Sequence, residues 1–84
     1  MENNKDKEFN ILVNSRDKVW TEKKISFDEV VILAYGEIST DPNASYAVIY
    51  KKGDNNKPEG IMAKGDEVKV KENMRFNVTP TNRS

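Results

Sequence analysis

The side chains that could do chemistry in this 84-residue chain are charged ones, 14 Lys and Arg against 14 Asp and Glu, because it has neither cysteine nor histidine. Without these two residues the chain has no thiolate nucleophile, no disulfide and no zinc site of the usual ligands. It also lacks the side chain that most often transfers protons near neutral pH. The sequence therefore predicts a protein that is not an enzyme, with no catalytic residue, metal or cofactor of its own.

The charge balance and the absence of long apolar runs limit the kinds of partner. The formal net charge is zero, so the chain as a whole has no positive field for a polyanion, whose affinity depends on neutralising phosphates. No apolar run reaches the length of a membrane span or of a signal-peptide core. We therefore expect a cytoplasmic domain that binds neither nucleic acid nor a membrane.

Alternating apolar and polar residues predict several strands. The first covers 9–13, and turn residues at 14–17 join it to a return strand over 18–25, whose many charges suit a sheet edge. Further strand segments are predicted at 45–52, 68–71 and 74–79, and 60–63 is a short apolar piece between two turns. The last of these is expected to end at Thr79, because Pro80 cannot extend a central ladder.

A single amphipathic helix is predicted between the two groups of strands. Ser26 and Glu29 have the spacing of a capping box, and Gly36 is a typical C-terminal stop. The apolar stripe of this helix consists of Phe27, Val30, Val31 and Ala34. The helix is short and rich in β-branched residues, so packing on a sheet must hold it.

This order of elements predicts an α+β domain in which a mixed four- to five-stranded sheet packs on one main helix. If the first and last strands are neighbours in the centre of the sheet, the fold is a ubiquitin-like β-grasp. The polar segment 1–7 is expected to be a flexible N-terminal arm, 8–79 the folded domain and 80–84 a C-terminal tail.

Several segments, taken in their order and spacing, resemble the bacterial multi-ubiquitin family. They lie at 9–14, 25–31 with Ala34, 46–52, 57–60 and, as the strongest piece, 65–79 (GDEVKVKENMRFNVT). Together they cover nearly the whole chain from Phe9 onward.

The resemblance implies a ubiquitin-like modifier. Such domains are associated with operons that also encode E1-like, E2-like and deubiquitinase-like proteins. An E1-like enzyme would use ATP to activate the C-terminal carboxylate, and an E2-like enzyme would pass it to a conjugation target of unknown identity. The residues that the resemblance assigns to the conjugation tail are Thr79, Pro80, Thr81, Asn82, Arg83 and Ser84.

The tail departs from ubiquitin because it lacks a terminal Gly-Gly. Glycines suit a narrow adenylation channel, since without a side chain the backbone can approach closely, although Ser84 is also small. Two other hypotheses stay open. One is a non-conjugated β-grasp module that binds a partner by its sheet face or by an edge strand. The other is a β-grasp sulfur carrier, which 65–68 resembles slightly but which would end in Gly-Gly.

An exposed apolar patch is the second candidate site. Leu12 and Trp20 could share the sheet face opposite the helix, and Trp is enriched at binding hot spots. In the alternative, Trp20 turns into the core. The same question applies to Tyr46, Val48 and Tyr50, since one of the two faces of that strand must be core. Six lysines are either acceptors for a second modifier or ordinary surface residues, namely Lys23, Lys24, Lys51, Lys52, Lys69 and Lys71.

Overall fold

The computed structural model describes residues 8–36 and 45–81 and has seven strands and one helix within these ranges. The structure does not describe residues 1–7, for which a flexible arm is predicted, or residues 37–44 and 82–84. The elements are β1 (Phe9–Val13), β2 (Arg16–Trp20), β3 (Lys24–Ser26), α1 (Phe27–Tyr35), β4 (Tyr46–Lys51), β5 (Gly60–Met62), β6 (Glu67–Lys69) and β7 (Arg75–Pro80).

Five strands form one mixed sheet in the order β2-β1-β7-β4-β5, and β3 pairs with β6 in a separate two-stranded sheet. The first and last strands lie side by side in the centre and run parallel, while the other pairs are antiparallel. Helix α1 packs on one face of the five-stranded sheet. The predicted α+β, β-grasp architecture is confirmed.

The β1–β2 hairpin turns on two residues. Asn14 and Ser15 have φ of 53° and 69°, the left-handed conformation that a two-residue hairpin turn requires, and its twist matches that of the flanking strands. Val13 therefore lies directly opposite Arg16. The predicted turn at 14–17 was too long by two residues, a difference that shifts the register of β2 but leaves each of its side chains on the same face.

The return strand predicted over 18–25 is wrong as one element. Strand β2 ends at Trp20, and a separate strand, β3, begins at Lys24 and pairs with β6. The indole Nε1 of Trp20 donates to the carbonyl of Lys24 (2.9 Å) and so holds the bend between the two strands. The edge position was correctly predicted for β2, which ends the order of the five-stranded sheet.

Both predicted ends of the helix are confirmed. The Oγ of Ser26 accepts from the backbone N–H of Glu29 (3.1 Å), and the Glu29 carboxylate accepts from the Ser26 N–H (2.9 Å). At the other end Gly36 has φ 89° and its N–H donates to the Ile32 carbonyl (2.7 Å). A nine-residue helix is too short to be stable alone, so these caps add to what packing supplies.

Replacing Ser26 by alanine is expected to destabilise the domain by about 1 kcal/mol, because the first turn loses its side-chain acceptor. Urea unfolding followed by circular dichroism measures this change. Ser26→Thr keeps a hydroxyl acceptor and serves as the control. An equal loss in both variants would show that the cap is not the cause.

The core lies between α1 and the sheet. Its fully buried hydrophobic residues are Ile11, Val13, Ile25, Phe27, Val30, Val31, Val48, Tyr50, Met62, Val70, Met74, Phe76 and Val78. Val48 and Tyr50 are buried whereas Ile49 is exposed. The face of β4 that carries Tyr46, Val48 and Tyr50 is thus the core face.

Candidate functional site: the C-terminal strand and the open sheet face

Strand β7 carries the chain to its C-terminal segment from the centre of the sheet. It pairs with β4 along its whole length, with Val78 opposite Val48 and Pro80 opposite Tyr46. Pairing continues one residue further, because the N–H of Thr81 donates to the carbonyl of Ser45 (2.8 Å). Thr81 is therefore still part of the folded domain.

The predicted departure of the tail at Pro80 is wrong for Pro80 and Thr81. Bonded and non-bonded pairs alternate in an antiparallel ladder, and Thr81 is bonded to Ser45, so the nitrogen of Pro80 points away from β4. On that side β1 has already ended at Val13. Proline thus removes no ladder bond at this position, and the sheet tolerates it.

Asn14 extends the β1 side of the sheet with its side chain. Its Oδ1 accepts from the N–H of Val78 (2.8 Å) and its Nδ2 donates to the carbonyl of Val78 (3.2 Å). The hydroxyl of Tyr35 donates to the same carbonyl (2.9 Å), and the Tyr35 ring stacks on Tyr46 at 5.7 Å between centroids. The hairpin turn, the helix and β4 together hold the end of β7.

Of the residues assigned to the conjugation tail, Thr79, Pro80 and Thr81 are exposed and held in this ladder. The hydroxyl of Ser45 also contacts the hydroxyl of Thr81 (2.5 Å) and donates to its carbonyl (3.1 Å). The remaining three, Asn82, Arg83 and Ser84, lie outside the described residues. The described part of the tail is therefore anchored at a fixed point of the sheet.

The predicted patch of Leu12 and Trp20 is not formed, because the two side chains lie on opposite faces. The two-residue turn places Trp20 opposite Phe9 and Leu12 opposite Asp17. Phe9 and Trp20 pack against the core, as in the alternative in which Trp20 turns inward, while Leu12 lies on the face away from the helix.

The open face of the sheet instead presents aliphatic residues on β4 and β5 that sequence reasoning did not select. Ile49 and Ile61 lie directly opposite each other and are 42% and 74% exposed. The alternation within 45–52 places Ile49 and Val48 on opposite faces of the strand. Which of the two faces is exposed to solvent follows from the packing of the sheet on the helix. These two residues therefore form an exposed cross-strand apolar pair on this face.

A shallow depression lies beside Ile49, between it and Leu12. Lys51 and Arg75 stand directly opposite each other at its margin, and Asn77 lies across from Ile49. The depression is lined by Leu12, Ser15, Ile49, Lys51, Arg75, Phe76 and Asn77. Apolar side chains flanked by cations can bind a partner protein, so the open face offers recognition surface.

Glu72 is a carboxyl group whose pKa is lowered by neighbouring hydrogen bonds. Hydrogen bonds from the side-chain amide and then the backbone N–H of Asn10 hold the pKa of the Glu72 carboxyl below its usual value. Among residues 8–36 and 45–81 no three acidic side chains form a group suited to a metal ion. No helix of the described chain is long and apolar enough to cross a membrane.

Comparison with known proteins identifies the family. The multiubiquitin family model matches residues 9–82, which includes every described strand and the helix. No curated protein and no solved structure matches the chain. The family match over most of the chain, together with the β-grasp fold, shows that the chain is a ubiquitin-like domain belonging to the multiubiquitin family.

Proposed function

We propose that this domain is a protein modifier joined to a target through its C-terminal carboxylate. An E1-like enzyme activates it with ATP, an E2-like enzyme transfers it, and a deubiquitinase-like protease removes it, in the cytoplasm of a bacterium. The observation that carries the proposal is the position of β7. This central strand is held up to Thr81, so the sequence enters its C-terminal segment from a fixed point of the sheet.

The chemistry of attachment resides in the carboxyl terminus. A carboxylate oxygen attacks the α-phosphorus of ATP, pyrophosphate leaves and an acyl adenylate forms. A nucleophile of the enzyme then attacks the acyl carbon and AMP leaves. The acyl group passes to a nucleophile of the E2-like enzyme, which releases the E1-like enzyme. Finally a nucleophilic group on the target attacks the acyl carbon, displaces the E2-like enzyme and loses its proton to solvent. The tail contains no Gly-Gly, so the E1-like enzyme would act on tail residues that carry side chains.

The open face is the surface by which such enzymes would hold the domain. Ile49 and Ile61 are exposed and adjacent, and exposed apolar residues that pack into a partner's pocket commonly dominate binding energy. The face is separate from the carboxylate that reacts. Binding and transfer can therefore be tested with different variants.

Intact-mass analysis of the chain mixed with E1-like and E2-like proteins of its own operon tests the proposal. With ATP we expect a covalent adduct, and deletion of residues 82–84 should abolish it. This deletion leaves Thr81 bonded to Ser45, so the domain should stay folded, as unfolding in urea will show. An adduct that survives the deletion would contradict attachment through the C-terminus.

A second candidate function is a non-conjugated binding module, which the exposed pair of Ile49 and Ile61 favours. In that case enzymes shown to be active on another substrate would form no adduct with this chain. Ile49→Ser would then abolish partner binding, whereas deletion of residues 82–84 would leave it unchanged.

A further inference from the structure

A groove with lysines on its rim lies where the start of β1 approaches the segments before β3 and after β6. Phe9 and the buried Val70 form its apolar floor, and Lys23, Lys69 and Lys71 stand around it. The N–H of Val70 donates to the carbonyl of Lys23 (2.9 Å). This bond fixes the two sides of the groove relative to each other.

The positive charge of this groove is not balanced within the described chain. Lys69 lies directly opposite Lys24 in the β3–β6 ladder, an arrangement of like charges that is normally unfavourable. All four lysines are exposed, and the ion pair that the described residues form, Lys64 with Asp28 (3.2 Å), involves none of them.

Acidic residues mark the limits of the positive region. Glu72 lines the groove, and its oxygens accept from Asn10 at 3.0 and 2.8 Å, which favours its ionised form. A neighbouring hollow that shares Phe9 and Lys23 with the groove is lined in part by Glu22, Glu29 and Glu67. The groove itself thus has three lysines against one carboxylate, and the excess positive charge lies along Lys69 and Lys71.

The spacing of Lys69 and Lys71 defines the chemistry of a ligand. They flank the buried Val70, and both line the groove. Alternate residues of an extended backbone project to the same side and are about 6.6 Å apart. Carboxylates at alternate positions of an extended peptide have the same spacing. Two charge-assisted contacts can therefore form in register.

We propose that this groove binds an extended acidic segment of a partner protein. Carboxylates two residues apart contact Lys69 and Lys71, and a neighbouring apolar side chain covers the exposed part of Phe9. This surface lies apart from the C-terminal strand, and the proposal does not depend on conjugation.

A peptide fits this groove better than a nucleic acid does. Affinity for a polyanion grows with the number of phosphates that cations neutralise, and here the acidic residues on both sides of the lysines would oppose a continuous row of phosphates. The chain as a whole carries no net charge to compensate.

Fluorescence anisotropy tests the proposal with a short labelled peptide in which glutamate alternates with threonine and valine. We expect binding that weakens as salt is added and none for the peptide with glutamine in place of glutamate. Lys69→Gln with Lys71→Gln should weaken binding about tenfold. The control, Lys52→Gln with Lys57→Gln, removes the same charge from another exposed site and should change binding by less than about twofold.

Equal weakening in the two double variants would overturn the proposal, because it would show only a general attraction to lysines. Absence of peptide binding, or tighter binding of an oligothymidine of similar charge, would overturn it as well. The lysines replaced in the two double variants are all exposed, so thermal unfolding should show that both variants remain folded.

Discussion

Replacement of Phe76 by alanine is expected to remove most of the free energy of unfolding of the domain. Phe76 is 1% exposed in the central strand β7, and its ring centroid lies 6.4 Å from that of Tyr50. Truncating a buried phenylalanine costs about 3–5 kcal/mol, since a cavity remains. The whole stability of a small domain is often close to about 5 kcal/mol, so little would be left.

Circular dichroism and Trp20 fluorescence in a urea titration measure this effect. Phe76→Leu retains most of the volume and should cost less than about 1.5 kcal/mol. Asn77→Ala, at the exposed neighbouring position, should stay within about 0.5 kcal/mol of the unchanged protein. A folded Phe76→Ala protein of nearly unchanged stability would show that β7 is not the centre of the core.

The second large effect is expected at Asn14, where alanine should cost about 2–3 kcal/mol. The side chain makes two hydrogen bonds to Val78. Their loss leaves the N–H of Val78 without a partner, whereas its carbonyl keeps the bond from Tyr35. Alanine is also unfavourable at φ 53°, by about 1–2 kcal/mol.

Two further variants separate these causes. Asn14→Gly accepts the left-handed conformation but keeps neither hydrogen bond, so it should be more stable than Asn14→Ala by about 1 kcal/mol. Asn14→Asp keeps the oxygen that accepts from Val78 and should lie nearest to the unchanged protein. Urea unfolding measures all three, and an Ala variant as stable as the Asp variant would exclude the role of these bonds.

Local patterns in the sequence were sufficient to predict the helix and the first and last strands. Ser26, Glu29 and Gly36 define the helix by interactions within a few residues, and alternation in 9–13 and 74–79 reflects one buried face. The central pairing of β1 with β7 joins residues far apart in the chain, so it came from the resemblance to a known fold and not from the pattern.

The errors have a common physical origin in pairings between distant segments. Trp20 faces the core because it pairs with Phe9, and its register depends on the turn, for which Asn14-Ser15 is a weaker two-residue signal than Asn-Gly. Whether Pro80 interrupts a ladder depends on where β1 ends. The contact of Lys24 with Lys69 depends on the register of two separate strands, which no local pattern contains.

The candidate site was predictable to different degrees. The conjugation tail follows from the family resemblance, and the structure adds that Thr81 is bonded to Ser45. The exposure of Ile61 and its place opposite Ile49 could not be read from a three-residue strand, since its pairing partner sets its face.

Peptide mapping of the adduct formed with the E1-like and E2-like enzymes tests the central claim most directly. No lysine occurs between Lys71 and Ser84, so cleavage after lysine releases this segment in one piece. The account predicts a branched peptide in which the C-terminal carboxyl group of the modifier is joined to a side chain of the target. An adduct in which this segment is unbranched and the bond lies elsewhere in the domain would contradict it.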